Sequence, residues 1–330
     1  MFLTNKTSIV AKLEDDGGTA YSDAGATLAQ SDYDVRIRHD VSYSTEIAEY
    51  RRKILDGTLD HFTSVMGRQT GTASFTVDMA PSPTGSEDVA PPWGKLLEAC
   101  GFKGAAQAAG YVWVPHVDIT HKPLTMEIVE TLEGASPDTL VTRLQGAMGN
   151  VVFMIGTVGE PIQMNFEFSG SFVSIVDRAY ENRIDPDTLS VVRPGAILSA
   201  CFDVNSLPQD LDTFEFNMNN DIQEWIDPCK STGVKGFYRA GFEPQLSINP
   251  TMKQLATEPG YTEWMAATAL AVDVTAASAD GPDLKLSAPK AQRITHAPGD
   301  RNGARISDWG FLLTKDSGND VFKITQGTED

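Results

Sequence analysis

Between Ile162 and Phe172 the chain alternates. Ile162, Met164, Phe166, Phe168 and Phe172 are apolar, and between them stand Gln163, Asn165, Glu167, Ser169 and Ser171. A period of two places successive side chains on opposite faces of a strand, one dry and one wet. The same pattern sets Ala73, Phe75, Val77 and Met79 against Thr72, Ser74, Thr76 and Asp78, and sets Tyr33, Val35 and Ile37 against Asp32, Asp34, Arg36 and Arg38. Turn clusters separate these segments: Asp15-Asp16-Gly17-Gly18, Pro81-Ser82-Pro83-Thr84-Gly85, Asp280-Gly281-Pro282 and Arg301-Asn302-Gly303. Such a chain is confined to antiparallel sheets packed on one side. The expected class is mostly β with a few short helices. The clearest helix runs from Pro92 to Gly101, with proline at its start and glycine past its end. A second is expected over Tyr261 to Val272, around Trp264, and a third over Thr45 to Leu55.

The chain has 330 residues, 41% of them hydrophobic, which suits two or three packed cores. Against 45 Asp and Glu stand 26 Lys and Arg, a formal charge of −19. Phosphate backbones and anionic lipid surfaces repel such a protein, which argues against a conventional nucleic-acid binder or a polybasic membrane-surface protein. A wall past which DNA slides without sticking would be acidic too. No apolar run approaches the roughly 20 residues that span a bilayer. Asn5, Lys6 and Thr7 stand where a signal peptide would carry its apolar centre, so secretion by that route is not expected. Cys100, Cys201 and Cys229 are odd in number and far apart. They are expected to be reduced, mostly buried thiols, not a disulfide framework or zinc site.

The search for chemistry finds no catalytic set. Neither G-x-x-x-x-G-K nor G-x-G-x-x-G is present, and there is no G-x-S-x-G elbow. His116 and Asp118 would share a strand face while His121 points the other way, a poor arrangement for joint metal ligation. Asp185, Asp187, Asp210 and Asp212 lie beside prolines and read as solvated loop acids. No catalytic, metal-binding or cofactor-binding residues are expected, and no cofactor.

A weak internal repeat is present. Arg68 and Arg239, Phe75 and Leu246, Val77 and Ile248, and Trp93 and Trp264 are each separated by 171 positions. Phe166 and Phe168 correspond to Trp309 and Phe311 at an offset of 143. If duplication rather than coincidence explains these few identities, the chain is two copies of one β unit. The segment between helix and late hairpin is then shorter in the second copy. The division expected is residues 1–176 for the first unit with an N-terminal arm, 177–195 for a linker marked by Asp185-Pro186 and Arg193-Pro194-Gly195, and 196–330 for the second unit.

The run from Gly67 to Met79, the following Pro/Gly/Ser loop and the run from Ala90 to Phe102 resemble the tail tube (major tail) proteins of long-tailed bacteriophages. Leu144 to Val151, the Gly159-Glu160-Pro161 turn and Met164 to Phe168 are similar to the same family. The likeness covers Gly67 to Phe172. It is thinner over Ala196 to Ile324, where Gly233-Val234-Lys235-Gly236 and Ala288-Pro289-Lys290 carry it. Residues before Tyr33 have no counterpart. The resemblance implies tandem β-sandwich or barrel units, each with a short flanking helix. It implies stacked rings forming a tail tube, a hollow channel for genome DNA, whose inner sheets join into one barrel without free edges. One-unit chains of the family form hexameric rings, and two-unit chains form trimers with pseudo-sixfold symmetry. Partners would be copies of the chain, the tape-measure protein, transiting DNA and the tail-end proteins, with no membrane binding. The location would be the virion, after assembly in the host cytoplasm.

On this reading the wet faces line the bore. Thr72, Ser74, Thr76 and Asp78, with Gln163, Asn165 and Glu167, are the candidates in the first unit. Gln245, Ser247 and Asn249 are those in the second. Arg36 and Arg38 depart from an acidic wall. The segment Ser42 to Met66, with Glu46, Glu49, Arg51, Arg52, Lys53, Asp56 and Asp60, is too long for a tight hairpin and would be the loop that contacts the next ring. A ring from a related tube machine, such as a tail terminator or a secretion-like tube, is the nearest alternative. A carbohydrate-binding β-sandwich is a further one, although Trp93, Trp225, Trp264 and Trp309 do not cluster in sequence.

Overall fold

The computed structural model describes residues 2–14, 41–51, 63–82, 85–108, 110–116, 122–132, 139–155, 159–178, 202–255, 259–276, 281–318 and 320–327. The first half contains β1 (Phe2–Leu13), β2 (Ser42–Tyr50), β3 (Val65–Asp78), α1 (Gly94–Ala99), β4 (Phe102–Gln107), β5 (Gly110–Pro115), β6 (Leu124–Leu132), β7 (Thr139–Met154) and β8 (Gln163–Arg178). The second half contains β9 (Phe202–Val204), β10 (Leu207–Pro208), β11 (Phe214–Asn217), β12 (Asn220–Ile226), β13 (Val234–Phe242), β14 (Gln245–Ile248), α2 (Gly260–Met265), β15 (Ala269–Ala276), β16 (Leu284–Arg301), β17 (Ala304–Thr314) and β18 (Lys323–Gly327). The protein is mostly β, and its sheets are antiparallel throughout.

Helix α1 falls inside the predicted Pro92–Gly101 span, with Leu96, Leu97 and Ala99 buried and Gly101 ending it at φ +85°. The second predicted helix is cut short. Ala267 turns to φ +51°, and Leu270, Val272 and Val274 then alternate into the core as β15. The third is overturned: Thr45 to Tyr50 belongs to strand β2. Tyr43, Thr45 and Ile47 are aromatic or β-branched, residues that suit a strand, and β3 offers a full edge from Ser74 opposite Ser42 to Val65 opposite Tyr50. The predicted strand Tyr33–Ile37 lies outside the described residues.

The main path through the large sheet is β10-β9-β15-β16-β17-β14-β11-β7-β8-β3-β2. Pairing order recurs in the two halves. In the first, β1, β6, β7, β8, β3 and β2 are successive neighbours, and in the second β9, β15, β16, β17, β14 and β11. Phe75 pairs with Phe166 and Val77 with Met164, and Leu246 pairs with Phe311 and Ile248 with Trp309. The matching places thus lie 171 apart on one strand and 145, not 143, on the other. Trp93 and Trp264 do not match, because Trp93 precedes α1 whereas Trp264 is in the last turn of α2.

The long strands β7 and β16 each serve two neighbours on one edge. β7 pairs with β6 over Thr139–Ala147 and with β11 over Val152–Met154. The expected linker is only partly visible: Asp177 and Arg178 end β8, and 179–201 lie outside the described residues.

One hydrophobic core runs through both halves. Phe75, Phe166 and Phe168 stack at centroid distances of 5.7 to 5.9 Å. Phe216 of the second half stacks on Phe322 at 3.7 Å and packs against Phe153 of the first. Strand β18 pairs with β5, and its fully buried Gln326 is tied into the loop before α1. Gln326 Oε1 accepts from the Ser82 amide at 2.9 Å, and its Nε2 donates towards the carbonyls of Ser86, Glu87 and Val89. Replacement by Leu removes the side-chain bonds to the buried Ser82 amide and to three carbonyls of that loop. Gln326→Leu should therefore lower the unfolding free energy by about 2–4 kcal/mol. Urea unfolding checks this, and a loss under about 0.5 kcal/mol would mean the loop does not depend on that side chain.

Candidate functional site

Directly paired residues of an antiparallel sheet share a face. Across β2, β3 and β8, Ser44 and Ser169 flank Thr72, Ser42 and Glu167 flank Ser74, Asn165 faces Thr76, and Gln163 faces Asp78. On β7, Asn150, Val152 and Met154 face Glu167, Asn165 and Gln163. β11 continues with Asn217 beside Val152 and Glu215 beside Met154, and β14 with Gln245 beside Asn217 and Ser247 beside Glu215. β17 places Gly310 beside Ser247, and β16 places Thr295 beside Gly310 and Ala297 beside Asp308. The result is one polar face eight strands wide, with the phenylalanine core beneath its first six strands and Trp309 and Phe311 beneath β17. At these positions stand the acids Asp78, Glu167, Glu215 and Asp308, with Glu46 further along β2, against one exposed base on the same face, Lys290 beside Thr314. Their summed field repels phosphate.

Nine of the ten residues predicted for a common wet surface are brought onto this face. Thr72, Glu167 and Ser247 are exposed, and Ser74, Asp78, Gln163, Asn165 and Gln245 are half-buried. Thr76 is a correction: it is buried, at 6% exposure. Asn249 lies beyond the end of β14, where its Oδ1 accepts the amides of Asp212 and Thr213 at 3.2 and 3.0 Å and caps the turn into β11. Arg36 and Arg38 lie outside the described residues. The face also holds Ser42, Ser44, Asn150, Glu215 and Asn217, which the sequence reading missed. Alternation of Phe214, Phe216 and Met218 with Glu215 and Asn217 was the available signal for two of them. Asn150 Nδ2 donates to Asn217 Oδ1 at 2.9 Å across the junction of the two halves.

One end of the face is covered. β12 and β13 prolong the β11–β14 hairpin into an arm, since Asn220 opposite Phe242 keeps the register of Asn217 opposite Gln245. Val234 and Phe237 of this arm pack on Met148. Arg68 pairs with Glu224, the Gln69 amide donates to the Thr232 carbonyl at 3.0 Å, and Ser171 Oγ meets Thr232 Oγ1 at 2.9 Å. Ser171, expected to face water, is therefore buried. The arm also clasps the end of α1. Arg239 donates to the carbonyls of Gly101 and His116, and Asn220 Nδ2 donates to the Cys100 carbonyl at 2.8 Å. Burial lowers the Arg239 pKa and pushes the Cys100 thiol well up. A Cβ at Gly101 would lie 2.2 Å from the guanidinium, so glycine is required there. Cys229 is exposed, contrary to the burial expected of it, and Cys201 lies outside the described residues.

The predicted stacking loop is in part an extended hairpin. Glu46 and Glu49 are exposed on β2, and Arg51 is 3.6 Å from Glu49 in a solvated pair of little energetic weight. Arg52, Lys53, Asp56 and Asp60 lie outside the described residues. The far end of this hairpin exposes Ile47, Tyr50, Val65 and Met66. Around α2, the buried Arg293 guanidinium stacks 3.9 Å above Trp309 and lies 3.6 Å from Glu263. His296 lies 3.8 Å from the Tyr261 ring and 6.1 Å from those of Trp264 and Trp309.

A cleft of 220 Å³ beside α1, lined by Pro91, Pro92, Lys95, Glu98 and Trp113 among others, is smaller than the roughly 300–1,000 Å³ typical of ligand pockets. Among the described residues no cluster of three or more His, Cys, Asp or Glu could hold a metal ion, and no helix is long and apolar enough to cross a membrane. Comparison with models of known protein families and with curated proteins gave no match.

His296 carries a pH dependence. Burial, then the nearby Arg293 charge, lower its pKa in the folded protein. As pH falls below the ordinary value of about 6.5, the unfolded chain takes up a proton that the folded one resists. Stability contributed by this site is complete above that value and declines as pH drops towards the folded pKa. His296→Phe keeps a ring against Tyr261 and should shrink the fall in Tm between pH 7 and pH 5. An equal fall in both proteins would show that the decline comes from other groups.

Proposed function

We propose that this chain is a structural subunit that assembles with copies of itself into stacked rings, building the tube of a bacteriophage tail through which genome DNA passes. The observation that carries the reading is the eight-strand polar face, on which Glu46, Asp78, Glu167, Glu215 and Asp308 outnumber one exposed base, Lys290. Short hydroxyl and amide side chains beside Asp78, Glu167 and Glu215 suit a bore that must wet DNA without holding it. The resemblance over Gly67–Phe172 supports the same reading, as does the recurrent order of strand neighbours.

In this proposal residues 1–176 and 196–330 are two copies of one tail-tube unit, and each gives four strands to the polar face. Three chains complete a ring of pseudo-sixfold symmetry. The tape-measure protein and then DNA occupy the bore, the tail-end proteins close the tube, and the location is the virion. Ring-to-ring contact falls to the β2–β3 hairpin, whose exposed Ile47, Tyr50, Val65 and Met66 are costly to leave in water.

Concentrated purified protein should show rings or tubes in negative-stain images. A strict monomer at every concentration and salt level would overturn the proposal. Glu167→Lys with Glu215→Lys alters two exposed strand positions and should leave the fold intact. Tubes of this variant should retain short duplex DNA in a salt-sensitive manner, whereas wild-type tubes release it. Equal release by both would mean that this face does not line the bore.

A further inference from the structure

Trp113 of β5 lines the cleft beside α1. The side chain is fully buried, and its indole N–H has no acceptor among the described residues. Its stacking neighbour differs: Trp93, with its ring centroid 4.9 Å away, donates its N–H to the Ala80 carbonyl at 2.7 Å. Tryptophan can only donate, and a buried donor without an acceptor costs stability. Gly94 lines the same cleft. A Cβ there would stand 3.1 Å from Cζ2 and 3.3 Å from Nε1 of Trp113. The indole edge that carries the N–H therefore borders the cleft wall at a residue without a side chain.

The charges around the cleft do not cancel. Lys122 Nζ lies 2.8 Å from Glu98 Oε2, so the one carboxylate of the lining is already paired. Lys95, half-buried one turn earlier on α1, forms no ion pair among the described residues. A surplus positive charge thus remains here in a chain of formal charge −19. Val89, Pro91 and Pro92 make the opposing wall apolar.

We propose that this cleft binds a short aliphatic carboxylate, whose oxygens accept from the Trp113 indole N–H and the Lys95 ammonium while its hydrocarbon lies against Pro91 and Pro92. Volume limits the ligand. At about 30 Å³ for each water-sized group, 220 Å³ holds about seven such groups. An acid of about four carbons fits that space, and a nucleotide does not. Charge selects the headgroup. A neutral amide would satisfy the indole and leave the ammonium uncompensated, and an amine would meet Lys95 with like charge. None of these residues belongs to the polar face, so the proposal does not rest on the assembly reading. A free acid and an Asp or Glu side chain of a second copy offer the same carboxylate, and the measurement separates them.

Saturation-transfer NMR observes the small ligand and serves for single chains and large assemblies alike. Butyrate should receive saturation from dilute wild-type protein, and butyramide and butylamine at equal concentration should receive far less. Lys95→Gln alters a half-buried side chain outside the core and should weaken butyrate binding about tenfold, the loss of one charge-assisted hydrogen bond. Trp113→Phe keeps a ring in the stack, removes the donor and should weaken binding similarly, with circular dichroism confirming the fold. No transfer to butyrate from dilute, natively folded wild-type protein would overturn the site. Equal transfer to butyrate and butyramide, or undiminished binding by Lys95→Gln, would overturn the carboxylate assignment. Uptake of butyrate by dilute chains and by assembled rings alike would identify the free acid as the occupant. Uptake by dilute chains alone would assign the cleft to a carboxylate side chain of a neighbouring copy.

Discussion

Backbone N–H and C=O groups at a sheet edge need partners, and the β7–β11 pairing meets that need across the middle of this chain. It is only three residue pairs long, yet it fuses the strand sets of the two halves into one surface. The Asn150–Asn217 bond reinforces it on the wet side, and the Phe153–Phe216 contact on the dry side. The arm that prolongs β11 and β14 then locks onto α1 through Asn220 and Arg239. Both the position of the arm and the width of the polar face follow from that short junction.

The two sides of the sheet are under different constraints. Beneath, phenylalanine rings at 3.7 to 6 Å fix the spacing of the strands by close packing. Above, short hydroxyls and amides bridge neighbouring strands, as Ser44 and Thr72 do at 2.8 Å, and Glu167, Glu215 and Asp308 remain in water. Substitutions beneath the sheet act on stability. Those above act on what the surface attracts. The proposed role depends on the second property, while the fold depends on the first.

Strand identity was legible wherever one side of a strand is fully buried. The Ala73–Met79 and Ile162–Phe172 alternations match the buried sets, apart from Thr76, which is buried as well, and Ser171, which the β12–β13 arm covers from the far side. The segment after Ser42 was misjudged because both its faces are wet. Ile47 and Tyr50 are exposed, so no dry stripe distinguishes strand from helix, and the partner strand β3 decides. The offset of 171 does join matching pairing positions, Phe75 with Leu246 and Val77 with Ile248, whereas in the later hairpin the matching positions lie 145 apart, not 143. There the bulge between Arg293 and Thr295 and the changed aromatic sizes hide the match.

By itself the sequence determined that this protein is an antiparallel β structure with a dry and an acidic side, and which residues of its best strands belong to each. That follows because alternation is a local property, set by the two-residue repeat of the extended chain. Only the tertiary structure decided that the wet sides of eight strands form a single surface and that one arm is folded back on its own chain. Pairing joins residues up to hundreds of positions apart through backbone groups common to every amino acid, so side-chain types carry almost no record of which edge meets which.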